Sequence, residues 1–163
     1  MAKIYISLGS NIDREANTRA GVRALKKHYG ELELSSVYES EAVGFEGDAF
    51  YNMVIACDTD EDVYEVVRQL HAIENANGRD RNGPKFSSRT LDLDLLLYDD
   101  LVLDTNSLKL PREEILYNAF VLWPLAEIAP TLIHPVVRQS YNELWTSFDR
   151  AGANLHSIEF DFS

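Results

Sequence analysis

Apolar positions along the chain fall into two periods. Residues 3–8, Lys-Ile-Tyr-Ile-Ser-Leu, predict a strand that ends in Gly9-Ser10-Asn11. From about residue 13 to 29, Ala16, Ala20, Ala24 and Leu25 recur at helical spacing, and Gly30 stops the helix. Residues 32–38 alternate Leu32, Leu34 and Val37 with polar positions and predict a second strand, and 39–49 predict a loop. A third strand over 50–58 precedes a helix striped by Val63, Val66, Val67, Leu70 and Ile73. Residues 79–89 have no apolar period and hold Gly83 and Pro84, which predicts a long exposed loop. A fourth strand over 90–98, a short one around 108–110 and helical segments near 111–116 and 121–128 complete the pattern. The order βαββαβ with a C-terminal elaboration predicts an α+β, ferredoxin-like sandwich with both helices on one face. The 163 residues suit a single domain over 1–163.

Composition adds little to that picture, but charge adds more. Fifteen basic against 27 acidic residues give a net charge of −12, which repels nucleic acid and anionic membrane surfaces. Neither is an expected partner, and no apolar stretch approaches the roughly 20 residues that span a bilayer. In such an acidic chain a local cluster of arginines points to a small anionic ligand. Cys57 has no second cysteine to pair with, and the chain opens on a strand pattern without an apolar leader, so the expected setting is the cytoplasm. The expected state is a monomer.

The strongest candidate chemistry lies in Arg89-Thr90-Leu91-Asp92-Leu93-Asp94. Strand alternation puts Asp92 and Asp94 on one face, with Cα atoms about 6.6 Å apart, a separation that suits magnesium held between carboxylates and phosphates. An acidic solvent face is the ordinary use of such a pair. Here Arg79, Arg81, Lys85 and Arg89 stand immediately before it, and guanidinium groups grip phosphate through paired hydrogen bonds. No glycine-rich phosphate cradle occurs. Phe50, Tyr51, Asn52 and Phe120 could form an aromatic slot in which an amide reads a flat heterocycle, although core packing is the default for the aromatics. Residues 7–11 fit a substrate-holding strand end or a turn capped by Ser, Asn or Asp equally well. Glu74 could orient an arginine or lie exposed. His28 and His156 are expected on the surface, and His71 and His134 lack a partner at metal-ligand spacing, so zinc is not expected.

In this order, Leu8-Gly9-Ser10-Asn11, Tyr51-Asn52, Ile73-Glu74 with Gly78-Arg79, Arg89 to Asp94, and Leu122-Trp123-Pro124-Leu125-Ala126-Glu127-Ile128-Ala129-Pro130 resemble the 6-hydroxymethyl-7,8-dihydropterin pyrophosphokinase family over about the first 135 residues. The resemblance implies diphosphate transfer from ATP to the pterin alcohol, leaving AMP. It implies that Asp92 and Asp94 bind two magnesium ions, that Arg79 and Arg89 serve transfer, and that His71, Glu74, Arg81 and Arg89 surround ATP. Asn52 would read the pterin, Phe50 and Phe120 would flank it, and backbone groups near Ser40 and Val43 would complete its pocket.

The chain also departs from the family pattern. Pro111-Arg112-Glu113 stands where Pro-His-Tyr or Pro-His-Pro is usual, Asn118 replaces an arginine, Phe86 a tryptophan and His71 a glutamine. Arg112 or Lys109 would take over a phosphate contact, whereas Glu113 would be unfavourable near ATP unless it faces a cation or turns outward. These departures leave open a non-catalytic or altered-substrate pterin- or nucleotide-binding relative.

Overall fold

The computed structural model describes residues 1–40, 49–77, 91–150 and 154–162. Its elements are β1 (Ala2–Ser10), α1 (Arg14–Tyr29), β2 (Glu33–Leu34), β3 (Val37–Ser40), β4 (Phe50–Thr59), α2 (Val63–Ala76), β5 (Asp92–Tyr98), β6 (Leu103–Asp104), β7 (Lys109–Leu110), a 3₁₀ turn (Glu113–Leu116), α3 (Ala119–Ile128), α4 (Tyr141–Thr146) and β8 (Leu155–Ile158). The protein is α+β. An antiparallel sheet runs β5-β1-β4-β3-β8, with β2 also paired to β4, while β6 and β7 form a separate hairpin.

Both faces of the sheet are covered, and the sequence of β4 shows why. Met53, Ile55 and Cys57 point into one core and Val54 and Ala56 into the other, so the strand is apolar throughout rather than alternating. On the first face Ile4, Ile6, Leu8, Leu93 and Leu95 pack against Val22 and Leu25 of α1 and Val63, Val66 and Leu70 of α2. On the second, Tyr5, Val54 and Leu96 pack against Val121, Leu122 and Leu125 of α3. Each fully buried leucine contributes about 1.5–3 kcal/mol. A register shift between Tyr5 and Ile6 skips one residue of β5, and Leu96 and Leu97 both join the second core.

Three expectations are corrected. First, α1 buries Thr18, Gly21, Val22 and Leu25 rather than an alanine stripe. The reason is close approach: a Cβ at Gly21 would stand 2.9 Å from Leu8 Cδ1 and 3.0 Å from Leu91 Cδ1. Second, the strand expected over 32–38 is split at Ser35 and Ser36. Ser35 N still donates to Val54 O, but the return bond from Val54 N goes to Ser35 Oγ, and Ser36 N and Oγ donate to the Glu127 carboxylate, so the backbone leaves the ladder at Ser36. Third, the turn begins later than expected: Gly9 and Ser10 continue β1, Ser10 Oγ donates to Ile12 O, and Asp13, which precedes α1, makes no side-chain cap bond. Beyond residue 135, α4 carries a Ser140–Glu143 capping box, and Trp145 stacks on Trp123 at 5.1 Å and on Phe148 at 5.6 Å.

Candidate active site

Pairing register decides what shares a face. Gly9 stands opposite both Asp92 and Asn52, and Ser7 opposite Asp94 and Val54. Asp92, Asp94 and Asn52 therefore rise from the face that carries α3, across three adjacent strands. Both aspartates are half-buried. β5 is an edge strand, and its outer edge is held at two points. Glu74, 1% exposed, reaches from α2 so that its Oε2 accepts from Leu93 N at 2.8 Å, and Arg112 N donates to Leu96 O at 3.0 Å. These bonds bracket Asp94 and fix the strand that carries the acidic pair. Burial settles the two readings of Glu74 against an exposed side chain, because α2 places it on the Val63, Val66, Leu70 stripe.

Gly9 is the floor between Asp92 and Asn52. A Cβ there would meet Asn52 Oδ1 at 3.1 Å and Phe50 Cδ1 at 3.9 Å, so the missing side chain is what lets the amide lie over the sheet. Asn52, 8% exposed, donates through Nδ2 to Ser40 Oγ at 2.9 Å and makes no other side-chain hydrogen bond among the described residues. Its Oδ1 and second N–H retain donor and acceptor capacity of the kind a heterocycle edge needs. Phe50 is half-buried on the same side of β4, and half-buried Phe120, in the first turn of α3, packs against the core of that face. Arg14 ties the neighbouring strand ends together: its guanidinium pairs with Glu39 at 2.8 Å, donates to Ala49 O at 2.9 Å and lies 4.1 Å over the Tyr51 ring.

On the other side of the acidic pair, Arg112 Nη2 stands 2.8 Å from Glu114 Oε1 and 3.6 Å from Asp94 Oδ1. Burial works against the guanidinium charge, but Asp94, Glu114 and Asp92 together outweigh it and hold the proton more firmly than usual. Glu113 turns outward and pairs with Lys109, whose hydrogen bond and charge lower its carboxyl below the usual range. That removes the conflict the sequence raised for Glu113. A cavity of 360 Å³ opens beside this segment, lined by Leu103, Lys109, Leu110, Pro111 and Arg112 among others. His71 is exposed on α2, one turn before Glu74. Asn118 precedes α3 and makes no side-chain cap bond. Val43, Arg79, Arg81, Lys85, Phe86 and Arg89 lie outside the described residues.

Among the described residues no cluster of three or more His, Cys, Asp or Glu forms a metal cage. Asp92 and Asp94 offer two hard oxygen donors, a set that fits magnesium completing its octahedron with water and substrate phosphates. His134 is a core histidine: its Nδ1 accepts from Val136 N and Val137 N, both at 3.2 Å, and burial lowers its pKa. His28 pairs with Glu61 and the exposed His156 with Glu39. Sequence reading missed Glu114 and the Arg112–Asp94 pair. The order Arg112-x-Glu114 was a usable signal for the first of these, whereas the second depends on how β7 docks against β5.

Two carboxylates, a cation and an amide slot on one face of a sheet are a set that could serve transfer of a phosphorylated group. Residues 5–130 match the model of the 7,8-dihydro-6-hydroxymethylpterin-pyrophosphokinase (HPPK) family. The chain belongs to this family. It is 35% identical over 145 residues to the 2-amino-4-hydroxy-6-hydroxymethyldihydropteridine pyrophosphokinase of Aquifex aeolicus, covering 88% of this chain and 90% of that protein. It is 40% identical over 128 residues to the enzyme of the same name from Bacillus subtilis, covering 76% of each. Among solved structures, Plasmodium falciparum HPPK-DHPS with pteroate superposes with a TM-score of 0.71 at 14% identity over 89% of this chain, a likeness of fold alone. This chain spans 42% of that longer one.

Proposed function

We propose that this protein transfers diphosphate from ATP to the hydroxymethyl group of 6-hydroxymethyl-7,8-dihydropterin in folate synthesis, giving AMP. Family membership and two pyrophosphokinase relatives that align over most of their length support the reading. The observation that carries it is the register that puts Asp92, Asp94 and Asn52 on one face with Gly9 between them. Nothing in the comparisons favours a non-catalytic or altered-substrate relative. The fold is read as ferredoxin-like, a reading that the run from β1 to β5, which is βαββαβ when β2 and β3 are taken as one split strand along β4, and the order β5-β1-β4-β3 support, and residues 1–163 as one domain, monomeric and cytoplasmic. Among the described residues no helix is long and apolar enough to cross a membrane.

In this mechanism the pterin enters over Gly9, with the Asn52 amide, oriented by Ser40, hydrogen-bonded to its ring edge and Phe50 and Phe120 against its faces. Ser40 and Val43 are also assigned to the pterin. The hydroxymethyl oxygen forms a bond to the β-phosphorus as the bond from that phosphorus to the α,β-bridging oxygen breaks, the hydroxyl proton is lost to solvent, and AMP departs. Asp92 and Asp94 would hold magnesium, as two ions, which supplies neutralisation of phosphate charge. His71, Glu74 and Arg81 are assigned to the nucleotide, with Lys109 and Arg112 taking phosphate contacts. Arg79 and Arg89 stabilise the charge that develops on the transferring group. Replacing Asp94 by Ala is expected to abolish magnesium-dependent turnover while the circular-dichroism spectrum stays that of the folded protein. Unchanged turnover would exclude the acidic pair from the reaction.

A further inference from the structure

Among the described residues Arg112 is a cation beside Asp94, where it would oppose a bound metal ion. Its backbone is seated on Leu96 of β5, and its side chain, 34% exposed, is held between Glu114 and Asp94. Its Nε is buried and meets no acceptor among the described residues, so the guanidinium gains its partners through Nη2. A magnesium or manganese ion on Asp94 would sit about 2.1 Å from a carboxylate oxygen. With Nη2 3.6 Å from Oδ1, the ion and the guanidinium would then lie less than about 6 Å apart, where two positive centres repel strongly.

We propose that Arg112 is a resident counter-cation of Asp94 that competes with the divalent ion, and that Glu114 draws it away, so that metal affinity before nucleotide arrives is set by the Arg112–Glu114 pair as well as by the two aspartates. The inference rests on the reading of Asp92 and Asp94 as the metal-binding pair. It also gives the chain's own Pro111-Arg112-Glu113-Glu114 segment a role: a positive charge on the metal side of the site is matched by a carboxylate two residues on.

The test is manganese binding to the intact, nucleotide-free protein, followed by the loss of the electron-paramagnetic-resonance signal of the unbound ion. Arg112→Gln is expected to bind manganese about ten-fold more tightly than wild type, because a repelling charge is removed. Glu114→Gln, which leaves the guanidinium to Asp94 alone, is expected to bind a few-fold more weakly. Opposite shifts from two residues in one contact cannot come from structural damage, which weakens binding in both. Asp94→Asn is expected to lose most of the binding. If Asp94→Asn binds as wild type does, the metal-pair reading fails and the inference with it. If Asp94→Asn loses binding but Arg112→Gln gains none, or Glu114→Gln does not weaken it, the metal pair stands and the competition is overturned.

Discussion

At Asn52 a few tenths of an ångström decide whether an amide can work. Oδ1 lies where a Cβ on residue 9 would crowd it at 3.1 Å, and one of the two Nδ2 hydrogens is spent on Ser40. Replacing Asn52 by Ala is expected to weaken pterin binding by about 1–3 kcal/mol, since the ring's polar edge is then buried unpaired. Replacing Gly9 by Ala should weaken it in the same direction by pushing the amide aside, with the melting curve nearly unchanged. Calorimetric titration with the pterin measures both, and wild-type affinity in either would misplace the pocket. Sequence alone named Asn52 and its aromatic neighbours, but Gly9 read as a turn because a glycine inside a strand and one at its end look alike until the register is known. Glu113 shows the reverse case. Its charge was legible and its direction was not, since the pairing with Lys109 four residues back depends on how the chain turns out of β7 into the 3₁₀ turn that begins at Glu113.

At the scale of elements, β5 is the part that must be rigid, and its outer edge depends on Glu74. Loss of that carboxylate leaves Leu93 N buried without its acceptor, so Glu74→Ala is expected to lower stability by about 1–3 kcal/mol in denaturant unfolding, and Glu74→Gln, which keeps an acceptor oxygen, to recover most of it. Equal stability of all three would mean the tether is idle. The segment before α4 carries a pH-dependent element in His134. Burial lowers its pKa in the folded state, so below the ordinary histidine value near 6.5 the unfolded chain takes up a proton that the folded chain refuses. Stability is therefore present in full above about pH 6.5 and falls as pH drops below it. His134→Asn, whose side-chain oxygen can accept the same backbone N–H groups without titrating, should flatten that part of a melting-temperature profile between pH 5 and 8. An unchanged slope would contradict it. Strand and helix periods in β1, β4, α2 and β5 were readable because both the apolar period and the stops were strong. The α1 face was not, because a glycine packed under two leucines leaves no apolar signal.

For the molecule as a whole, the proposed reaction asks a chain of net charge −12 to receive an anion, and the arrangement that would do so is local: the acidic pair and the amide slot share one face of the sheet, with Arg112 beside Asp94. The α+β class followed from element order alone. The second core, formed by α3 and α4 beneath that face, and the added strand β8 did not, because residues 136–163 carry short elements whose partners lie far away in sequence. Activity is the decisive whole-molecule property, since Arg112, Glu113 and Asn118 are read as departures from the family pattern. The measurement is AMP formation from ATP and magnesium with and without 6-hydroxymethyl-7,8-dihydropterin, at protein concentrations that detect slow turnover. AMP that appears only with the pterin, matched mole for mole by the pterin diphosphate, is the predicted result; pterin bound by calorimetry with no AMP formed would contradict it.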